Sequence, residues 1–462
     1  MSSEYDTSLA EEQEIERRKA EIIQRLQEDL LPLLERLDAY LDKRLVRTAL
    51  ELIAVLILSG HPKQGLHVSQ LGACLLGGAH APAGTKRIER LLHSKKWSAS
   101  ISREYLWQEA AVQVNTLMAE EKLALCVWDG SRIEKPESEQ TEGMCAVLSS
   151  KAKRLRKKRK GVYNPPGGKP ITVLGLEWIG ILVVGLQGLP YLARMEYWSR
   201  KGEHASTMWE TEKRLLREAV QWLGKQVLYV FDRGYAGATW LQALQEQGVL
   251  FVIRWVKSHH FLDAQGEEKA LWEIARGEKT WGYRSIEEAH THTWLRKGVV
   301  AMPIRHAGYA GALWLVVGRG GKEPWYLLTN QPVETEEAAW QIIMSYARRW
   351  KAEEMFRFEK SELGIESCCV REWEGREKLL GLLTLAHRFL LSLCDPARQE
   401  LKEWLLRHGC HRTGKRYRAA KLPLYRLRWA LSTFWREHSP LPLLAHFFPS
   451  FYRPDIRSKN SG

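Results

Sequence analysis

The chain lacks what a membrane or secreted protein would show. Its first thirty residues mix both charges around no apolar stretch, and the longest apolar run, Ile171 to Leu189, is interrupted by Glu177, Gln187 and several glycines. A bilayer span takes about twenty consecutive apolar residues. The run is therefore expected as buried sheet strands, and no membrane partner is expected. No lipid-anchor signal or basic amphipathic terminal helix suggests a membrane surface either. Cysteine is sparse and unpatterned: seven residues, an odd count without a Cys-x-x-Cys pair. That argues against a disulfide framework and a structural zinc site; His408, Cys410 and His411 lie together but lack the second half of a ligand set. Reduced thiols and no leader give a cytoplasmic expectation. Acidic residues are the minority, 55 against 69 lysines and arginines, for a net charge of +14. Such an imbalance suits a polyanionic partner, nucleic acid first.

What is present is an ordinary globular composition, 45% hydrophobic and 27% charged, over 462 residues, enough for more than one core. Residues 1–118 read as helices: Glu11 to Asp42 carries apolar residues at helical spacing with a break expected at Pro32, and Arg44 to Leu58 is strongly apolar. A short helix near 84–95 sets Lys86, Arg87 and Arg90 beside an apolar stripe, as suits a helix on DNA and equally a solvated face on a bundle. From Leu123 the pattern turns to buried strands. LALCVW runs into Asp129, ITVLGLEWIGILVVGL follows, and VLYVF runs into Asp232 after a helix near 206–223. A helix from Ala236 to Glu246 and a strand at 249–256 complete the series. Three strands, a helix, a strand, a helix and a strand, with acids at strands one and four, is the order of an α/β fold with an RNase H-like mixed sheet.

The expected layout is a helical N-terminal DNA-binding domain over 1–118, the first part of the RNase H-like core over 119–256, a β-strand insertion subdomain over 257–324, the second part of the core over 325–395, and a C-terminal helical region over 396–462. Short alternating segments separated by glycine mark the insertion.

Asp129 and Asp232 each follow an apolar run of about five residues, where an isolated charge is costly unless it leaves the core or meets a cation. A turn-forming or capping Asp is the plain alternative for either alone. The third element is a continuous helix expected from Thr335 to Ser361. Its Tyr346, Arg349, Glu353, Arg357 and Lys360 are spaced 3, 4, 4 and 3 apart, which at about 100° per residue makes one stripe. A salt-bridged solvent face is the alternative there.

These residues resemble a known family. Tyr346-x2-Arg349-x3-Glu353-x6-Lys360 is similar to the Tyr-Arg-Glu-Lys signature of the insertion-sequence-four family of DDE transposases, Asp232-Arg233-Gly234-Tyr235 to its second acidic motif, and Trp128-Asp129-Gly130-Ser131 to its first. The resemblance implies cut-and-paste DNA transposition through a hairpin intermediate. It implies two Mg²⁺ ions, replaceable by Mn²⁺, on the catalytic acids Asp129, Asp232 and Glu353. DNA contacts are implied for Tyr346, Arg349, Arg357, Lys360, Arg233 and Tyr235. Trp325, which leads a segment similar to one in hairpin-forming members, is implied to stack on a flipped base; core packing is its alternative. The implied partners are the inverted-repeat ends of a transposon and target duplex DNA, bound by a homodimer with catalysis in trans, in a bacterial, nucleoid-associated setting.

Between the first two acidic motifs, eight of the ten residues Lys151 to Lys160 are cationic. Lys157, Lys158, Arg159 and Lys160 are candidate phosphate contacts of a loop beside the site. An RNase H-like nuclease or resolvase that cuts without joining is the first competing function, and a domesticated DNA-binding protein the second.

Overall fold

The structure, a computed structural model, describes residues 2–59, 66–150, 171–288, 293–321, 323–409 and 424–446. The cationic block at 151–160 and the pair Cys410 and His411 lie outside the described residues. By internal contact the chain forms two compact units. One comprises Arg103–Lys360 with Arg371–Trp373; the other comprises Met1–Ser102, Ser361–Val370 and Glu374–Gly462.

The second of these is helical. It starts with α1 (Ser2–Asp38), which runs through Pro32 without the expected break. A proline inside a helix loses one hydrogen bond and crowds the preceding turn; here the flanking Leu26, Leu30, Leu33, Leu34 and Leu37 are all buried on one face and hold the helix through it. The apolar α2 (Lys43–Ser59) is buried along nearly its whole length. Next come α3 (Val68–Leu76) and α4 (Ala81–Leu92), which cross at two glycines. A Cβ on Gly84 would stand 2.2 Å from the Gly72 carbonyl oxygen, and one on Gly72 would stand 2.4 Å from the Thr85 nitrogen. Only hydrogen fits between the two backbones at that distance.

After α5 (Ala99–Ala119) the other unit builds one mixed sheet. Its strands begin with β1 (Leu125–Glu134), β2 (Cys145–Leu148), β3 (Thr172–Val184) and β4 (Tyr191–Trp198). Helix α6 (Met208–Leu223) opens on a capping box: the Glu210 N–H donates to the Thr207 hydroxyl at 3.1 Å, and the Thr207 N–H donates to the Glu210 carboxylate at 3.0 Å. Then come β5 (Leu228–Phe231), α7 (Ala238–Gln247) and β6 (Leu250–Arg254). The segment expected as an insertion holds β7 (His260–Leu262), β8 (Glu268–Ala270), α8 (Leu271–Arg276), β9 (Gly282–Glu288), β10 (Thr293–His306) and β11 (Tyr309–Arg319). It returns through β12 (Trp325–Thr329) to α9 (Glu336–Ala347) and α10 (Trp350–Ser361). The helical unit closes with α11 (Trp373–Ser392), α12 (Gln399–Gly409), α13 (Leu424–Glu437) and α14 (Leu441–His446). Among the described residues no single helix is long and apolar enough to cross a membrane.

Strand order is β2-β3-β1-β5-β6-β12-β11-β10-β7-β8, with β4 on β3 and β9 on β10. β1, β5 and β6 are parallel; β3 is antiparallel to β1, and β12 to β6. The strands of 257–324 therefore extend the same sheet, through β11 and β12 onto β6. The parallel centre is apolar on both faces, as a doubly covered sheet must be: Cys126, Trp128, Tyr229 and Phe231 pack with Leu215, Ala219, Trp240 and Leu244 from α6 and α7, and Leu125, Val127, Leu228 and Val230 are buried on the other face.

Candidate active site

The pairing of β1 with β5 runs Leu125↔Leu228, Cys126↔Tyr229 and Val127↔Val230. Two residues further along each strand stand Asp129 and Asp232, so the two acids are level on neighbouring strands spaced about 4.8 Å apart. At this point the ladder opens. β5 ends at Phe231, while β1 continues along β3 alone, with Asp129 opposite Gly180. Asp129 thus lies within a strand, beside the gap left by the end of its parallel partner.

Helix α10 covers that gap. A Cβ on Gly180 would meet the Met355 methyl at 2.5 Å and Phe356 at 2.9 Å, so the bare backbone of β3 is what lets the helix approach. The approach brings in Glu353. Arg349 joins it to the first acid: its guanidinium donates to the Asp129 carboxylate at 2.8 Å and also to Glu353. At the far end of α10, the Lys360 ammonium donates to the Ser131 hydroxyl at 2.7 Å and to the Arg132 carbonyl. Asp129 and Ser131, two apart on one strand, show the same face to the helix.

The expected continuous helix is in fact two. α9 ends at Ala347 and α10 starts at Trp350; between them Arg349 N–H donates to Tyr346 O and Ala352 N–H to Arg349 O, three-residue turns that tighten the chain. The even stripe therefore exists only within α10, for Glu353, Arg357 and Lys360. Arg349 sits at the junction and points at the acids. Tyr346, at the end of α9, is buried with its ring edge-on to Trp325 at 5.2 Å between centroids. The Lys297 ammonium lies 4.3 Å from the centre of the Trp325 ring.

Burial pushes the Asp129 carboxyl up to about 7; the Arg349 cation opposes this, while the negative charges of Asp232 and Glu353 add to it. Two acids on one guanidinium, with the charge of a third acid felt at Asp129, make a locus that favours further positive charge. Among the described residues, one group of three side chains offers ligand atoms all within 4.8 Å of one another, and it is elsewhere: Glu142, Glu203 and His204. Asp129, Asp232 and Glu353 do not form such a group.

The remaining expected contacts fall at various places. Arg233 is exposed just past Asp232, and Arg357 is exposed on α10. Tyr235 is buried, its ring 5.1 Å from Phe231 and 5.2 Å from Trp240. In the helical unit Lys86 and Arg90 are exposed on α4, whereas Arg87 turns inward to Glu51 at 2.5 Å and Thr48 at 2.8 Å. Two neighbours of the acids escaped the sequence reading. Gly180 carries no local motif, and Arg254 is one cation in a buried run whose placement depends on strand register.

Residues 181–389 match the family model of the transposase DDE domain. The match begins inside β3, so it takes in Asp232 and Glu353 and leaves Asp129 before its start. No curated protein matches the chain. Among solved structures, a cryo-EM structure of the piggyBac transposase synaptic complex with hairpin DNA is similar at 10% identity and a TM-score of 0.40, covering 91% of this chain and 80% of that one.

Proposed function

We propose that the chain is a DNA transposase of the insertion-sequence-four type, which cuts transposon ends and joins their 3′-hydroxyls to target DNA. One observation carries the reading: Asp129 and Asp232 stand level on adjacent parallel strands while Glu353, from a distant helix, reaches the same place through the shared Arg349. The strand order β4-β3-β1-β5-β6, with acids on the first and fourth strands of that series by sequence, supports an RNase H-like core. The matched transposase DDE domain supports the same chemistry for the stretch that holds Asp232 and Glu353.

The donor set fits Mg²⁺ or Mn²⁺: hard carboxylate oxygens at a place already short of positive charge. Asp129 would hold both ions, with Asp232 and Glu353 one each. When bound, such a pair neutralises the charge that builds at the scissile phosphate and favours both the attacking and the departing oxygen. The chain's own groups orient the DNA around it. Arg349 keeps Asp129 and Glu353 facing each other, and its planar guanidinium suits a phosphate. Lys360 and Arg357 line the strand path along α10. Trp325, half-buried beside Tyr346, offers an aromatic surface on which a base extruded from a tight hairpin would stack. Lys86, Arg90 and the cationic block with Lys157, Lys158, Arg159 and Lys160 are proposed to add DNA contacts, and a homodimer on paired ends completes the proposal.

In an assay with an intact transposon-end duplex for nicking, a pre-cut end and plasmid target for joining, and Mg²⁺, the wild-type protein nicks and joins. Glu353→Gln keeps DNA binding and loses both steps by about a thousandfold or more. Retained nicking in that variant contradicts the assignment, and wild-type nicking without joining points instead to a nuclease.

A further inference from the structure

The row of functional residues does not stop at the two aspartates. β5 pairs with β6 through Val230↔Val252 and Phe231↔Ile253, which sets Arg254 level with Asp232. Asp129, Asp232 and Arg254 thus occupy one level on three neighbouring parallel strands, and across the next strand Arg254 is opposite Leu327 of β12. Arg254 lies on the side of the acids where Tyr346 and Trp325 pack together. Its guanidinium faces the buried Tyr346 phenol, whose proton it makes easier to lose against the larger effect of burial. Its side chain is about a quarter exposed, and its other partner is Glu323 at 3.3 Å, a carboxylate that is 73% exposed and stands just before Trp325.

We propose that Arg254 is a phosphate-binding residue of the DNA strand that enters the acidic site. It holds a backbone phosphate next to the scissile one, and so positions the strand between the acids and Trp325. This rests on the transposase reading above and adds to it a fixed direction along the sheet: cleavage at Asp129 and Asp232, backbone capture at Arg254, base capture beyond. Three features suit the role. The buried Tyr346 phenol is a hydrogen-bond partner that helps to hold the guanidinium in place. An exposed ion pair with Glu323 holds little free energy, so a phosphate displaces that carboxylate readily. Arg254 combines this level with a partly open guanidinium, whereas Arg233 is on the exposed turn past Asp232.

The test compares wild type, Arg254→Ala and Glu323→Gln in binding a fluorescent blunt duplex of about thirty base pairs, across a series of salt concentrations, with Ca²⁺ in place of Mg²⁺. Loss of one phosphate contact lowers the slope of log K against log salt by about 0.9. Arg254→Ala is expected to show that drop with a five- to twentyfold weaker binding at low salt. Glu323→Gln is expected to bind two- to fivefold more tightly. Arg254→Lys, which keeps the charge, restores most of the slope but not the full affinity. An Arg254→Ala protein whose affinity falls while its slope stays unchanged would assign Arg254 to holding Tyr346 in place, and an unchanged affinity removes the proposal too. Both results are independent of strand cutting, so loss of the transposase reading is separately visible as a wild-type protein that binds this duplex and never nicks it.

Discussion

Each acid at the sheet centre has a different neighbour, and the neighbour decides its behaviour. Asp129 is pushed up by burial and by the other carboxylates, with Arg349 and the Gly130 N–H drawing it back. Behind the sheet, Glu212 on α6 has no comparable cation: burial pushes its carboxyl up to about 8. A folded-state value above the unfolded one means that the unfolded chain gives up this proton first. Its contribution is therefore full below about pH 4.5 and is lost as pH rises toward 8. Glu212→Gln is expected to leave the melting temperature near pH 4.5 unchanged and to raise it at pH 8; equal melting at pH 8 would show that Glu212 is ionised at no cost. At this scale the sequence was informative where a motif names the residue. Asp129, Asp232, Glu353 and Arg349 carry local patterns and meet in the structure. Arg87 and Tyr235 also sit in motifs, yet one pairs with Glu51 and the other packs on Phe231, because the direction of a side chain depends on packing that no spacing encodes.

Elements are placed by close backbone contact as much as by apolar faces. Gly84 and Gly72 let α4 cross α3 at a separation that no Cβ allows. Gly84→Ala pushes backbone against backbone, since the atom it meets is a carbonyl oxygen and not the end of a flexible side chain. Even after the gain in helix propensity from alanine, a net loss of about 2 kcal/mol is expected, read as a lower denaturation midpoint. An unchanged midpoint would mean that the crossing is looser than described. The long strands and helices were legible from their periods, among them the helix near 206–223 that the structure gives as α6. The breaks were not. Pro32 reads as an interruption and is carried by its leucine neighbours, while the turn at Arg348 and Arg349 has no proline or glycine and comes from tertiary demand: it swings Arg349 toward Asp129.

The whole chain brings a surplus of fourteen positive charges, and a sheet and helix bring Asp129, Asp232 and Glu353 to one place. The first supports the proposed binding of a polyanion, and the second the proposed site for divalent cations. The sequence indicated both; it could not indicate that β9 to β12 would join the central sheet through β6, because that requires pairing between strands some seventy residues apart. The central claim is that Asp129, Asp232 and Glu353 are one metal centre, with Asp129 shared. Its most direct test is the number of Mn²⁺ ions bound per chain in the complex with duplex DNA, counted by electron paramagnetic resonance. Two are expected for the wild type, at most one for Asp232→Asn or Glu353→Gln, and none for Asp129→Asn. An Asp129→Asn protein that still binds DNA and still holds two Mn²⁺ ions would contradict the account.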